Sequence, residues 1–189
     1  PLVDLKAQYA GIKDEMDEAI HRVLDSCRFI LGPELKGFEN EFADFCGAKH
    51  CVGVSSGTSA VHVALQASGI GKGDEVITVP NTFIATTECI SAVGAKIKMV
   101  GVDSKSGNMD PDLIEKAITE KTKAIVPVHL YGQTADMKPI IEIAERHDLK
   151  IIEDSAQAHG STYNSKKAPV FSTASYSFFP AKILGAYGD

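Results

Sequence analysis

With 189 residues, 44% of them hydrophobic and 23% charged, the chain is long enough to bury one substantial core and too apolar to be a disordered segment. A formal net charge of -6 with no Lys/Arg-rich run argues against a nucleic-acid groove or an anionic membrane surface as the main partner, although a few backbone amides suffice for a local anion site. Cys27, Cys46, Cys51 and Cys89 form no C-x-x-C pair and no His spacing of a zinc site, so reduced thiols packed as small hydrophobes, and no metal, are expected.

The opening residues, Pro1-Leu-Val-Asp-Leu-Lys-Ala-Gln8, carry charges where a signal peptide needs an apolar stretch, and no run approaches membrane-spanning length, so a soluble, cytoplasmic protein is expected. Lys13 to Cys46 reads as two helices broken at Leu31-Gly-Pro-Glu34, because Gly32 and Pro33 end the first and Pro33 can open the second. From about residue 50 onward, short β-branched runs alternate with amphipathic segments, the pattern of strand-helix-strand units in a mostly parallel sheet. The fold class is therefore α/β. Strands are expected at His50–Val54, Glu75–Val79, Lys96–Val102, Ala124–Val128 and Lys150–Glu153, and helices at Ser59–Ser68, Ala85–Val93, Pro111–Thr119 and Pro139–His147. No repeat, low-complexity tract or linker marks a domain boundary between residues 1 and 189.

Five positions carry candidate chemistry. Ser55-Ser-Gly-Thr-Ser59 lies between a strand and a helix, so its amides face the mouth of the sheet, where anions bind; Gly57 lets backbone approach a phosphate and Thr58 adds a hydroxyl, while the same residues also make an ordinary helix cap. Phe83, beyond another strand end, can lay a ring against an aromatic ligand or simply fill the core. Asp154 ends the run Ile151-Ile-Glu-Asp154, at the carboxyl end of a strand, where open α/β sheets hold ligands; it can pair with a protonated ring nitrogen or cap the next helix. Gln157, one turn on, can donate to a ring hydroxyl or be an ordinary surface amide. Lys182, flanked by Phe178, Phe179, Ile183 and Leu184, risks burial, which would free its amine as a nucleophile and proton carrier, although a lone lysine more commonly packs its stem while its head reaches water. His129 also falls at a strand end, with a structural role the commoner one for such a histidine, and His159 is given none.

The blocks Phe29-Ile-Leu-Gly-Pro-Glu34, Ser56-Gly-Thr58, Pro80-Asn-Thr-Phe-Ile-Ala-Thr86, Pro127-Val-His-Leu-Tyr-Gly-Gln133, Glu153-Asp-Ser-Ala-Gln157 and Ser177-Phe-Phe-Pro-Ala-Lys-Ile-Leu-Gly-Ala-Tyr-Gly-Asp189 are each weak alone but specific in this order. Together they resemble the DegT/DnrJ/StrS family of pyridoxal-phosphate (PLP)-dependent sugar aminotransferases, within the aspartate aminotransferase fold. The resemblance implies the large PLP-binding domain of that fold, with a seven-stranded type of sheet, and a smaller carboxyl-terminal domain not represented in this sequence. It implies Lys182 as the Schiff-base lysine, Asp154 on the pyridine nitrogen, Gln157 on the phenolic oxygen and Phe83 stacked on the ring. Gly57, Thr58 and Ser177 would hold the phosphate. An amino donor, commonly glutamate, would convert PLP to pyridoxamine phosphate, which then aminates a keto carbon of a nucleotide-linked sugar in a pathway to polysaccharide, glycoprotein or secondary metabolite. A homodimer with shared active sites is implied as well. Two rival readings are a PLP-dependent keto-sugar dehydratase, in which histidine replaces the lysine in this family, and a non-catalytic regulator that binds a nucleotide-sugar or a partner protein.

Overall fold

In the computed structural model, which describes residues 3–169, 171 and 173–188, Asp4 opens the first helix: its carboxylate accepts the backbone N–H groups of Lys6 and Ala7, both at 3.1 Å. Helix α1 therefore runs Leu5–Ser26, starting ahead of the Lys13 expected from apolar spacing, and ends on Cys27 in the left-handed region. Helix α2, Pro33–Cys46, has Pro33 in its first turn, as the Gly-Pro break requires, and closes on Gly47 at φ 67°. These helices belong to the first of two compact units, Pro1–Gly53 and Val54–Asp189. The strand expected at His50–Val54 is not formed. Instead of joining a ladder, the N–H of Gly53 donates to the Glu39 carboxylate at 2.9 Å, and Val52 is exposed.

The second unit holds helix α3 (Gly57–Ala67), strand β1 (Glu75–Thr78), helix α4 (Ile84–Ala92), strands β2 (Lys96–Met99) and β3 (Thr122–Ile125), helix α5 (Met137–Arg146) and strand β4 (Lys150–Asp154). A short hairpin, β5 (Thr162–Tyr163) and β6 (Lys166–Lys167), precedes strand β7 (Thr173–Ser175). The sheet order is β2-β1-β3-β4-β7, with every neighbouring pair parallel. The parallel α/β expectation is met, with five strands in the sheet among the described residues where the resemblance implies a seven-stranded type.

Alternation along the strands builds the two faces of the core. Ile77, Ile125 and Ile151 pack on one side with Met137, Ile140 and Ile143 of α5. Val76, Ala124 and Ile152 pack on the other with Val61 and Leu65 of α3 and Ile90 of α4. Layers on both faces explain why β1 is wholly buried and why its sequence is a continuous rather than an alternating run.

Pro111–Thr119 is not one α-helix. It forms two 3-10 turns, Pro111–Leu113 and Glu115–Ala117, after which Ile118 is already extended at ψ 135°. The fully buried Ile114 joins them, and three-residue spacing suffices to anchor so short a segment. The β5–β6 hairpin turns at Asn164 and Ser165, both at positive φ (49° and 65°), the backbone that a two-residue hairpin loop demands. No helix among the described residues is long and apolar enough to cross a membrane.

Candidate active site

Because all the strand neighbours run parallel, their carboxyl ends share one edge of the sheet. The chain leaves β1 toward Phe83, β4 at Asp154 and β7 toward Ser177. Open α/β sheets bind ligands at such an edge. Here the edge holds a cavity of about 470 Å³, and all seven candidate residues, Gly57, Thr58, Phe83, Asp154, Gln157, Ser177 and Lys182, line it.

One wall is an anion cradle. Ser56 caps α3 by accepting the Ser59 N–H at 3.0 Å, so the first two amides of the helix, those of Gly57 and Thr58, remain on the cavity wall without an intrahelical acceptor. Gly57 is dictated by contact: a Cβ there would sit 2.6 Å from the Cβ of Ser177. Only glycine lets Ser177, itself buried, close against the helix start. Two amides and the Thr58 and Ser177 hydroxyls thus share one wall at the positive end of a helix dipole, a donor set suited to a phosphate. The Cys89 thiol of α4 donates to the Thr58 carbonyl at 3.1 Å and ties this turn to α4, and burial pushes that thiol's pKa up to about 11, so it stays protonated as a donor.

Asp154 supplies the opposite chemistry. Its backbone N–H donates to the Pro127 carbonyl and its carbonyl accepts the His129 N–H, both at 2.9 Å, which fixes the residue at the end of β4. Its side chain is 6% exposed. Oδ2 accepts the Thr86 hydroxyl at 2.6 Å and Oδ1 accepts the Ala156 N–H at 3.2 Å. Gln157 presents an oriented amide: its Oε1 accepts the Tyr131 N–H at 3.3 Å, which leaves Nε2 as the donating end. Phe83, at the start of α4, is 66% exposed, so it is a ring placed at the cavity rather than a core aromatic.

Lys182 lines the cavity, and its apolar neighbours enclose it only in part. It is half-buried, and Phe179, Ile183 and Leu184 are themselves exposed.

Thr82 and Thr86 also line the cavity, and sequence reasoning passes over both. Their i, i+4 spacing across a helix start is the signal that would have put two hydroxyls on one face. His129 is fully buried and lies outside the cavity wall: its Nδ1 accepts the Ala135 N–H at 3.1 Å, so the ring proton sits on Nε2, 2.9 Å from Glu153 Oε2. Its role is structural. His159, given no role from sequence, is buried between the rings of Tyr176 and Phe178, with centroids at 5.1 and 5.2 Å. Burial holds its pKa below the ordinary value, and the charge of Lys182 acts the same way against a hydrogen bond to the Ser177 backbone.

The model of the DegT/DnrJ/EryC1/StrS aminotransferase family matches residues 10–189. The chain belongs to this family. Among relatives of the DegT/DnrJ/EryC1/StrS chain is a pleiotropic regulatory protein of Geobacillus stearothermophilus, 52% identical over all of this chain and 51% of its own length. Another is a dTDP-3-amino-3,4,6-trideoxy-alpha-D-glucose transaminase of Streptomyces venezuelae, 50% identical over all of this chain and 50% of its own. Among solved structures, S. venezuelae DesV in complex with a ketimine intermediate superposes with a TM-score of 0.98 at 50% identity, covering all of this chain and 51% of DesV. NtdA of Bacillus subtilis with bound cofactor PMP superposes at 0.86 with 38% identity, over 93% of this chain and 40% of its own. The chain thus spans about half the length of the relatives it matches.

Proposed function

We propose that this chain is the PLP-binding part of an aminotransferase that moves an amino group, from a donor such as glutamate, to a keto carbon of a nucleotide-linked sugar. The observation that carries the reading is the convergence of all seven candidate residues on one cavity at the carboxyl edge of the sheet. The residues fit PLP chemically. The amides of Gly57 and Thr58 with the hydroxyls of Thr58 and Ser177 would hold the phosphate, Phe83 would cover a ring face, Gln157 Nε2 would donate to the phenolic oxygen and Asp154 would pair with the ring nitrogen. When bound, PLP supplies a carbonyl carbon for an amine and a ring that takes up the electrons of an adjacent carbanion.

The chain's own residues then do three things. The buried carboxylate of Asp154 would pair with a protonated ring nitrogen and so favour it over a neutral one. Nζ of Lys182 would anchor the group covalently and would accept and return the proton that the exchange moves. The anion cradle would fix the group's far end and so orient it toward Lys182. Lysine at position 182 supports transamination over dehydration, since the dehydratases of this family carry histidine there. A cytoplasmic homodimer with shared active sites, working in amino-sugar synthesis for polysaccharide or related products, completes the reading.

The regulatory name of the Geobacillus relative supports a second reading, a protein that binds without catalysis. The two are separated by adding PLP to the purified protein, reducing with borohydride and mapping peptides. A pyridoxyl group on Lys182 is expected. A folded protein that carries no adduct there would overturn the enzyme reading and leave the binding one.

A further inference from the structure

Thr86 stands at a place where a hydrophobic residue would serve a helix equally well. It lies in the first turn of α4 and is 1% exposed, beneath the exposed Phe83. A buried hydroxyl needs a partner. The partner here is the carboxylate to which the cofactor reading assigns the ring nitrogen: Thr86 Oγ1 lies 2.6 Å from Asp154 Oδ2, the length of a hydroxyl donating to an ionised carboxylate. Thr82 Oγ1 lies 2.9 Å from Thr86 Oγ1 on the same cavity wall. Thr86 has one hydrogen and gives it to Asp154, so Thr82 donates to Thr86. The hydroxyls thus form a directed chain, Thr82 to Thr86 to Asp154.

The chain does more than satisfy a buried group. Oδ1 of Asp154 is held by the Ala156 N–H, on the turn that follows β4, whereas Oδ2 is held from a different element, α4. Two donors from two elements fix the carboxylate plane about its χ angles. Both donors give partners to the oxygens of a carboxylate that burial takes out of water.

We propose that Thr86 is the positioning residue of this site: its hydroxyl, oriented by Thr82, sets the rotamer of Asp154 and holds the carboxylate where the cofactor's ring nitrogen would bind. The inference rests on the assignment of Asp154 to that nitrogen. Thr86 acts through Asp154 alone, so its effect is on how firmly the cofactor is held and not on the sugar.

The test is the PLP dissociation constant of the purified protein, read by absorbance titration, for wild type and for Thr86→Val, Thr86→Ser and Asp154→Asn, with thermal midpoints measured alongside. Thr86→Val keeps the volume and removes the donor. It is expected to weaken PLP binding about tenfold or more, as loss of a hydrogen bond to a charged group does. Thr86→Ser keeps the hydroxyl and is expected to return to within about twofold of wild type on the same ground. Wild-type binding by Thr86→Val beside weak binding by Asp154→Asn would overturn the role of Thr86 and leave the cofactor reading intact. Equal losses in Thr86→Val and Thr86→Ser would overturn it too, since the methyl group and not the hydroxyl would then matter. Wild-type binding by Asp154→Asn would remove the assignment of Asp154 and this inference with it.

Discussion

Buried histidines in this unit differ in what their surroundings let them do. His129 is held by the Ala135 N–H on one ring nitrogen and by Glu153 on the other. His159 sits instead between two aromatic rings, with the positive charge of Lys182 near it. Because burial and that charge depress its pKa in the folded protein, the unfolded chain binds the proton more readily. The stability associated with neutral His159 is therefore complete above the ordinary value of 6.5 and is lost as pH falls below it toward the depressed folded value. Urea midpoints compared between about pH 7.5 and 5.5, above the range where carboxylates titrate, should fall on acidification in the wild type and fall less in His159→Asn. Equal slopes for the two proteins would show that His159 carries none of the pH dependence. The sequence offered no pointer to this residue, since its environment is made by Tyr176 and Phe178 and neither lies on the same element.

Elements were legible where a local signal sets them. Pro33 and the Gly-Pro break placed the start of α2, and apolar spacing placed α3, α4 and α5 to within a few residues. They were not legible where a distant partner decides. His50–Val54 has strand-like residues but gives its Gly53 N–H to Glu39, and Thr173–Ser175 is poor in strand formers yet pairs with β4 through Ile152, Glu153 and Asp154. For the site, Asp154, Gly57 and Thr58 were readable because a strand end or helix start carries them, whereas Thr86 acquires its meaning only from the approach of α4 to β4. Ser56 tests the local side of this account. Its Oγ caps α3 through the Ser59 N–H, so Ser56→Ala should cost about 1 kcal/mol in chemical denaturation. An unchanged midpoint would mean that the nearby Ser55 hydroxyl, 2.9 Å from Ser59 Oγ, takes over the cap.

At the scale of the molecule, the sheet collects residues from four separated stretches of chain onto one edge, and the core beneath holds them there together with a few bonds between elements, such as Thr86 to Asp154. α3 and α4 pack on one face through Val61, Leu65 and Ile90 while the cradle and Phe83 ride on their first turns. A ligand that bridges the cradle and Asp154 would therefore tie α3, α4, β4 and the Ser177 loop together, and it would bind the folded state alone. Mass action then fixes the size of the effect: at about a hundred times its dissociation constant, such a ligand adds roughly 2.7 kcal/mol, or roughly 5–10 °C in thermal midpoint for a chain of this size. PLP should produce that rise in wild type. It should produce a smaller one in Lys182→Ala, which keeps the cradle and the ring contacts but loses the covalent anchor. Inorganic phosphate at the same concentration as PLP, which can reach only the cradle, should raise the midpoint least of all. If phosphate and PLP stabilised equally, the cradle would be an anion site with no ring beside it, and the roles given to Phe83, Asp154 and Gln157 would have to be abandoned together.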